Sequence, residues 1–106
     1  MERTREEQIE IANTIIRQLG GHKFKVMTGA KDMFALESGL SFKVPGTTTR
    51  NRINYIKVWL YPSDTYTMEF WAYRKMNRKK VAEHSMVYDD MLQDIFTAET
   101  GLDTQL

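Results

Sequence analysis

The chain has no cysteine among its 106 residues. Disulfide staples and thiolate-held zinc are therefore excluded, and a reducing compartment fits. Proline occurs only twice, and no low-complexity linker divides the chain. Apolar residues never run for the ~18 positions that a membrane-spanning helix needs. The opening stretch, MERTREEQIE, is acidic and polar, which argues against a signal peptide. Lysine and arginine are missing altogether from residues 83–106.

That last absence exposes a charge split beneath a net charge of +1. Residues 1–20 hold three Arg and four Glu, net −1. Residues 21–82 hold twelve Lys or Arg against four Asp or Glu, net +8. Residues 83–106 hold six Asp or Glu, net −6. Either acidic helix faces keep a basic sheet soluble, or the basic stretch meets an anion, whose local concentration clustered positive charge raises. At this length one domain spans 1–106, and it buries roughly two thirds of its unfolded surface without staples.

The first element is a helix at about residues 4–19. Thr4-Arg5-Glu6-Glu7 has the form of a capping box, and Ile9, Ala12, Ile15, Ile16 and Leu19 follow at helical spacing. Gly20-Gly21 ends it. His22 to Thr28 alternates as a strand would, with Phe24 and Val26 inward and Lys23, Lys25 and Met27 outward. Residues 29–39 fit either a helical turn or a strand. Leu40, Phe42 and Val44 face inward on the next strand, and Pro45-Gly46 opens a polar, basic loop to Arg52.

The best-defined unit is a hairpin from Ile53 to Arg74, turned at Pro62-Ser63-Asp64. Pairing Tyr61 with Thr65 sets Lys57 opposite Glu69 and Val58 opposite Met68. It also keeps Ile56, Val58, Leu60, Tyr66, Met68, Phe70 and Ala72 on one face. A slip of one residue would mix the faces. Lys75 to Lys80 reads as a second turn, and Val81 to Ser85 as a charged edge strand. A last helix runs from about Ser85–Val87 to Thr100, with Ser85 as N-cap, Leu92, Ile95 and Phe96 as its apolar stripe and Gly101 as C-cap. The reading is an α+β fold: an antiparallel meander of four or five strands, with N- and C-terminal helices packed on one face.

The other face is then unusual. It carries Lys23, Lys25, Ser41, Lys43, Tyr55, Lys57, Trp59, Tyr61, Glu69, Trp71 and Tyr73, where simple polar residues would suffice. Aromatic rings flanked by lysines suit single-stranded nucleic acid: bases stack on the rings, each worth roughly 1–3 kcal/mol, while cations neutralise phosphates. Loop residues Arg50, Arg52, Arg74, Lys75, Arg78, Lys79 and Lys80 would extend the phosphate track. The same rings also suit a protein interface or self-association into a homodimer, cross-strand pairing alone, or cover by residues 29–39. A separate acidic patch, Asp89, Asp90, Asp94, Glu99 and Asp103, either is solvated or mimics phosphates toward a basic partner.

Catalytic and metal constellations are weak. His22 and His84 sit in no ligand-spaced cluster, so neither metal nor cofactor is expected. His84 and Ser85, adjacent on a strand, point to opposite faces and do not form a triad with Asp89 or Asp90. Gly46-Thr47-Thr48-Thr49 lacks the Gly-Lys-Ser/Thr ending of a phosphate loop. A non-enzymatic binding protein is expected.

Segments GGHKFKVMTGAK (20–31), LSFKVP (40–45), INYIKVWLYPSDTYTMEF (53–70), VAEHSMVYDDML (81–92) and the ending TGL resemble a set of small bacteriophage and prophage proteins of no assigned activity. They cover 51 of the 106 residues, just under half the chain. The resemblance implies a phage origin and a bacterial cytoplasm, and it transfers no catalytic or binding residue. It favours two roles: binding DNA in replication or recombination, or inhibiting a host enzyme or defence complex.

Overall fold

In the computed structural model, which describes residues 3–104, the capping box forms as read. Glu7 N–H donates to Thr4 Oγ1 at 3.2 Å and Thr4 N–H to Glu7 Oε1 at 3.0 Å. Helix α1 then runs Arg5–Leu19. Its buried stripe is Ala12, Ile15 and Leu19, while Ile9 is left exposed at the stripe's edge.

Gly20 ends α1 as read, but the helical layer continues beyond it. Gly20, at φ 129°, turns the chain, and a second helix, α2, runs Gly21–Thr28. The strand expected at His22–Thr28 is therefore corrected. Alternating Phe24 and Val26 imitated a two-residue period, but the buried pair is Phe24 and Thr28, one helical turn apart. Val26 stays 66% exposed. Thr28 Oγ1 donates to the Phe24 carbonyl at 2.7 Å, and Gly29, at φ 72°, caps the end.

Five strands follow: β1 (Lys31–Leu36), β2 (Gly39–Lys43), β3 (Tyr55–Leu60), β4 (Tyr66–Arg74) and β5 (Asn77–Val87). They form one antiparallel sheet in chain order. Residues 31–36 thus settle as an edge strand with a bulge, where Asp32 takes φ 53°. The hairpin register is as read: Lys57 opposes Glu69, Val58 opposes Met68, and Tyr61 N–H donates to the Thr65 carbonyl at 2.9 Å.

The expected turn at Lys75–Lys80 shrinks to Lys75-Met76, because Arg74 already pairs with Asn77. Asn77–Lys80 are strand, so β5 is far longer than Val81–Ser85. Ser85 is inside that strand and caps no helix. The chain instead passes through a 3-10 turn at Asp89–Met91, and α3 runs Leu92–Thr100. Gly101, at φ 80°, ends it by donating to the Thr97 carbonyl at 2.8 Å, as expected of a C-cap glycine.

All three helices cover one sheet face, where Leu40, Phe42, Ile56, Val58, Met68 and Phe70 meet Ile15, Leu19, Phe24, Leu92 and Phe96. The centre is a ring cluster. Phe24 contacts Phe42 edge-on at 5.5 Å and Phe96 at 5.2 Å between centroids. These contacts join α2, β2 and α3.

Two outcomes follow. Phe24→Ala should cost about 3–5 kcal/mol in urea unfolding, whereas Val26→Lys should stay within about 0.5 kcal/mol; equal costs would contradict a helical α2. The Thr4 amide and hydroxyl hold the Glu7 carboxyl below the usual carboxylate range. A lowered carboxyl contributes stability above its ordinary titration range and loses it as pH falls through the folded value. Thr4→Ala should therefore cost about 1 kcal/mol at pH 7, with the difference narrowing in unfolding curves taken at successively more acidic pH.

Candidate nucleic-acid interface

The register that buries Ile56, Val58, Met68 and Phe70 sends Tyr55, Lys57, Trp59, Glu69, Trp71 and Tyr73 to the uncovered face. Residues 31–36 extend the sheet and do not fold over that face. They add Phe34, 62% exposed, beside Ser41 in the register.

The rings do not form one continuous strip. Tyr55 and Tyr73 lie 4.7 Å apart with planes 32° apart, and Tyr73 meets Trp71 edge-on at 5.9 Å. Trp59 is four residues further along β3, about 13 Å at ~3.3 Å per residue. It pairs with Gly39 and Thr67, at the opposite end of the sheet, and Tyr61 lies beyond it. The aromatic site is therefore Tyr55, Trp71 and Tyr73.

Cations sit on these rings. Lys57 Nζ is 5.8 Å from the centroids of both Tyr55 and Trp71, and Lys80 Nζ is 5.6 Å from Trp71. The Arg78 guanidinium is 6.0 Å from Tyr73. Such contacts are worth about 0.5–1 kcal/mol at exposed positions. They change the expected role of Lys57, which forms no ion pair with Glu69 despite facing it. Glu69 instead accepts from Trp71 Nε1 at 2.9 Å and fixes the indole's orientation.

Several expected cations are elsewhere. Lys23 and Lys25 belong to α2, in the helical layer behind the sheet. Lys79 opposes Ala72, so it points to the helix side. Arg50 donates from Nη1 to the Ala98 carbonyl at 2.9 Å and its stem packs against Gly101. It satisfies the C-terminal end of α3, where a cation also complements the helix dipole. Arg52 and Arg74 line a recess with Gly46 and Asn54 at the rim of the sheet. Lys75 is at the hairpin tip, with φ 48°.

Carboxylates that the sequence reading did not place on this face are also present. Lys43 pairs with Asp32 at 3.7 Å, and Lys80 with Glu83 at 2.7 Å. The hydrogen bond that Lys80 donates to the Glu83 carboxylate raises the Lys80 pKa. Lys31, also missed, joins Lys43 around Tyr55 and Tyr73. Its signal was in the sequence, but only once residues 31–36 are known to be strand. Positive charge on the uncovered face thus gathers at one end of the sheet, with the three clustered rings.

The acidic patch is divided. Glu99 contacts His84 Nε2 at 3.0 Å across α3 and β5 and is half-buried. Asp89, Asp90 and Asp94 remain exposed. Among the described residues, His, Asp and Glu form no group of three or more able to hold a metal. No described helix is long and apolar enough to cross a membrane.

The two neighbouring arginines separate cleanly by role. Arg50→Ala should cost about 0.5–1.5 kcal/mol through the lost bond to α3, and Arg52→Ala less than about 0.5 kcal/mol, in paired urea titrations. Equal costs would remove Arg50 from its capping role. Comparison with family models, curated proteins and solved structures finds no match for the chain.

Proposed function

We propose that the chain is a non-enzymatic phage accessory protein that binds single-stranded nucleic acid, in the cytoplasm of a bacterial host, at the Tyr55–Tyr73–Trp71 end of its open sheet face. The observation that carries this reading is the placement of Lys57, Lys80 and Arg78 over those three rings. A cation held over an aromatic face by a flexible stem can swing to a phosphate as a base takes its place on the ring. One movement then creates both the stacking surface and the charge contact. Lys43 and Lys31 flank the same rings and extend the cationic track.

A second reading has its own support. Met86, Tyr88 and Met91 are 62%, 55% and 40% exposed, next to exposed Asp89 and Asp90. Apolar side chains bordered by carboxylates suit a basic protein surface, as an inhibitor of a host enzyme or defence complex would require.

Tryptophan fluorescence titrated with oligothymidylate separates the two. Quenching should be strong at low salt and weaken steeply as salt rises. Trp71→Ala should reduce affinity about tenfold or more, at roughly 1–3 kcal/mol per stacked base, and Trp59→Ala should leave it nearly unchanged. Absence of quenching at low salt sinks the nucleic-acid reading. A mass that doubles with concentration, together with no quenching, would assign the face to a homodimer.

A further inference from the structure

The rim of the sheet carries a feature that neither the rings nor the lysines explain. Two recesses meet there, one of about 380 Å³ bordered by Lys43, Tyr55 and Tyr73, the other of about 650 Å³ holding Arg52 and Arg74. Both are lined by Gly46 and Asn54, and among the described residues neither is lined by a carboxylate. We propose that the arginine recess is a phosphate-binding subsite, which takes the backbone phosphate next to a base stacked at Tyr55–Tyr73. The assignment of that phosphate to a nucleic-acid strand rests on the function proposed above; the subsite itself does not.

Four features support it. Arg52 and Arg74 are exposed and make no side-chain hydrogen bond or ion pair among the described residues, in contrast to Arg50 two positions away. Arg52 is held at φ 57°, directly after Asn51 at φ 53°. Asparagine tolerates that left-handed region, but arginine is uncommon there, and such outliers concentrate where a side chain must be aimed. Asn54 clamps the end of β4 with its side-chain amide, accepting from the Tyr73 N–H and donating to the Tyr73 carbonyl, both at 2.8 Å. Arg74 is the next residue, so the clamp fixes it relative to both Tyr73 and Arg52. Finally, a Cβ on Gly46 would stand 3.1 Å from Asn54 Cβ and 3.3 Å from the Arg52 carbonyl oxygen, so glycine keeps the junction between the recesses open.

The chemistry differs from that of the sheet face. Cations over Trp71 are lysines, point charges on mobile stems. The recess offers two guanidinium groups, which bind phosphate oxygens bidentately and in fixed planes. Tyr73 and Arg74, adjacent on a strand, point to opposite sides of the sheet. A strand that stacks a base on Tyr73 and places its next phosphate at Arg74 must therefore bend around the rim. The recess would mark where bound nucleic acid leaves the face.

Nitrogen-15 NMR of the arginine Nε–Hε groups, titrated with inorganic phosphate and then with oligothymidylate, tests this. Arg52 and Arg74 signals should shift with inorganic phosphate while that of Arg50 stays fixed. Unmoved Arg52 and Arg74 signals overturn the subsite. In the R52Q/R74Q protein, whose melting temperature should match the parent, oligothymidylate affinity should fall about tenfold. The slope of log affinity against log salt should drop by about 0.7, one single-strand phosphate contact. Unchanged affinity and slope would detach the recess from the strand and leave a site for free phosphate. If phosphate shifts the two arginines but no oligonucleotide binds at all, the function proposed for the ring face fails and the recess stands alone as an anion site.

Discussion

The register of β3 against β4 is the constraint on which the rest of the molecule depends. With Val58 opposite Met68, Ile56 and Val58 of β3 and Met68 and Phe70 of β4 point into the helical layer. Tyr55, Lys57 and Trp59 of β3 and Glu69, Trp71 and Tyr73 of β4 point out. Side-chain direction alternates with a period of two, so no intermediate arrangement exists. A slip of one residue would turn either Lys57 and Trp59 of β3 or Glu69 and Trp71 of β4 inward, toward the phenylalanine cluster. The buried phenylalanine cluster and the open ring cluster are thus two consequences of one pairing.

The helical layer contributes to the site indirectly. Phe24 and Phe96 hold α2 and α3 onto the sheet through Phe42. Arg50, bonded to the end of α3, ties the β2–β3 loop to that layer. This leaves Arg52 on a loop whose base is fixed on one side by Arg50 and on the other by Asn54. Charge follows the same division in part: Asp89, Asp90, Asp94 and Glu99 lie on and before α3, while Lys43, Lys57, Arg78 and Lys80 gather at the ring end of the open face.

How much of this was legible depended on which interactions are local. The capping box, the hairpin and the open aromatic face follow from neighbours in sequence and from a period of two, and they are found as read. The α2 segment misled because Phe24-Lys25-Val26 satisfies a strand pattern over three residues. Only the distant Phe42 and Phe96 decide that Phe24 and Thr28 are the buried pair. The length of β5 was hidden because Asn77–Lys80 is polar and basic, which resembles a loop when no partner strand is known. For the site, the residue types were visible but their grouping was not. Trp59 and Trp71 look equivalent in a list of odd positions. Pairing separates them, since Trp71 lies opposite Tyr55 and Trp59 opposite Thr67. Likewise Arg50 and Arg52 look alike in sequence, and only the packing of α3 tells the helix cap from the unpaired guanidinium.

Under the proposed function, the internal cation–π contacts bear on how strongly the face would bind a strand. In the free protein, Trp71 has Lys57 and Lys80 at its ring, so the indole is not a bare stacking surface. A base must replace contacts worth about 0.5–1 kcal/mol each with stacking worth roughly 1–3 kcal/mol. The net gain from one ring is therefore small unless the displaced lysines recover their energy on phosphates. Stacking and charge neutralisation become coupled, and neither suffices alone. Lys80 faces a further competition, because its bond to Glu83 at 2.7 Å must loosen before it reaches a phosphate. Lys57 has no such carboxylate bond, although Glu69 is its cross-strand neighbour, since Glu69 is already bonded to the indole of Trp71. Glu69 thus keeps the ring in place and leaves Lys57 as the cation most free to move. On the proposed function, Lys57 would be the lysine that couples stacking to phosphate contact, with Lys80 the more firmly held of the two.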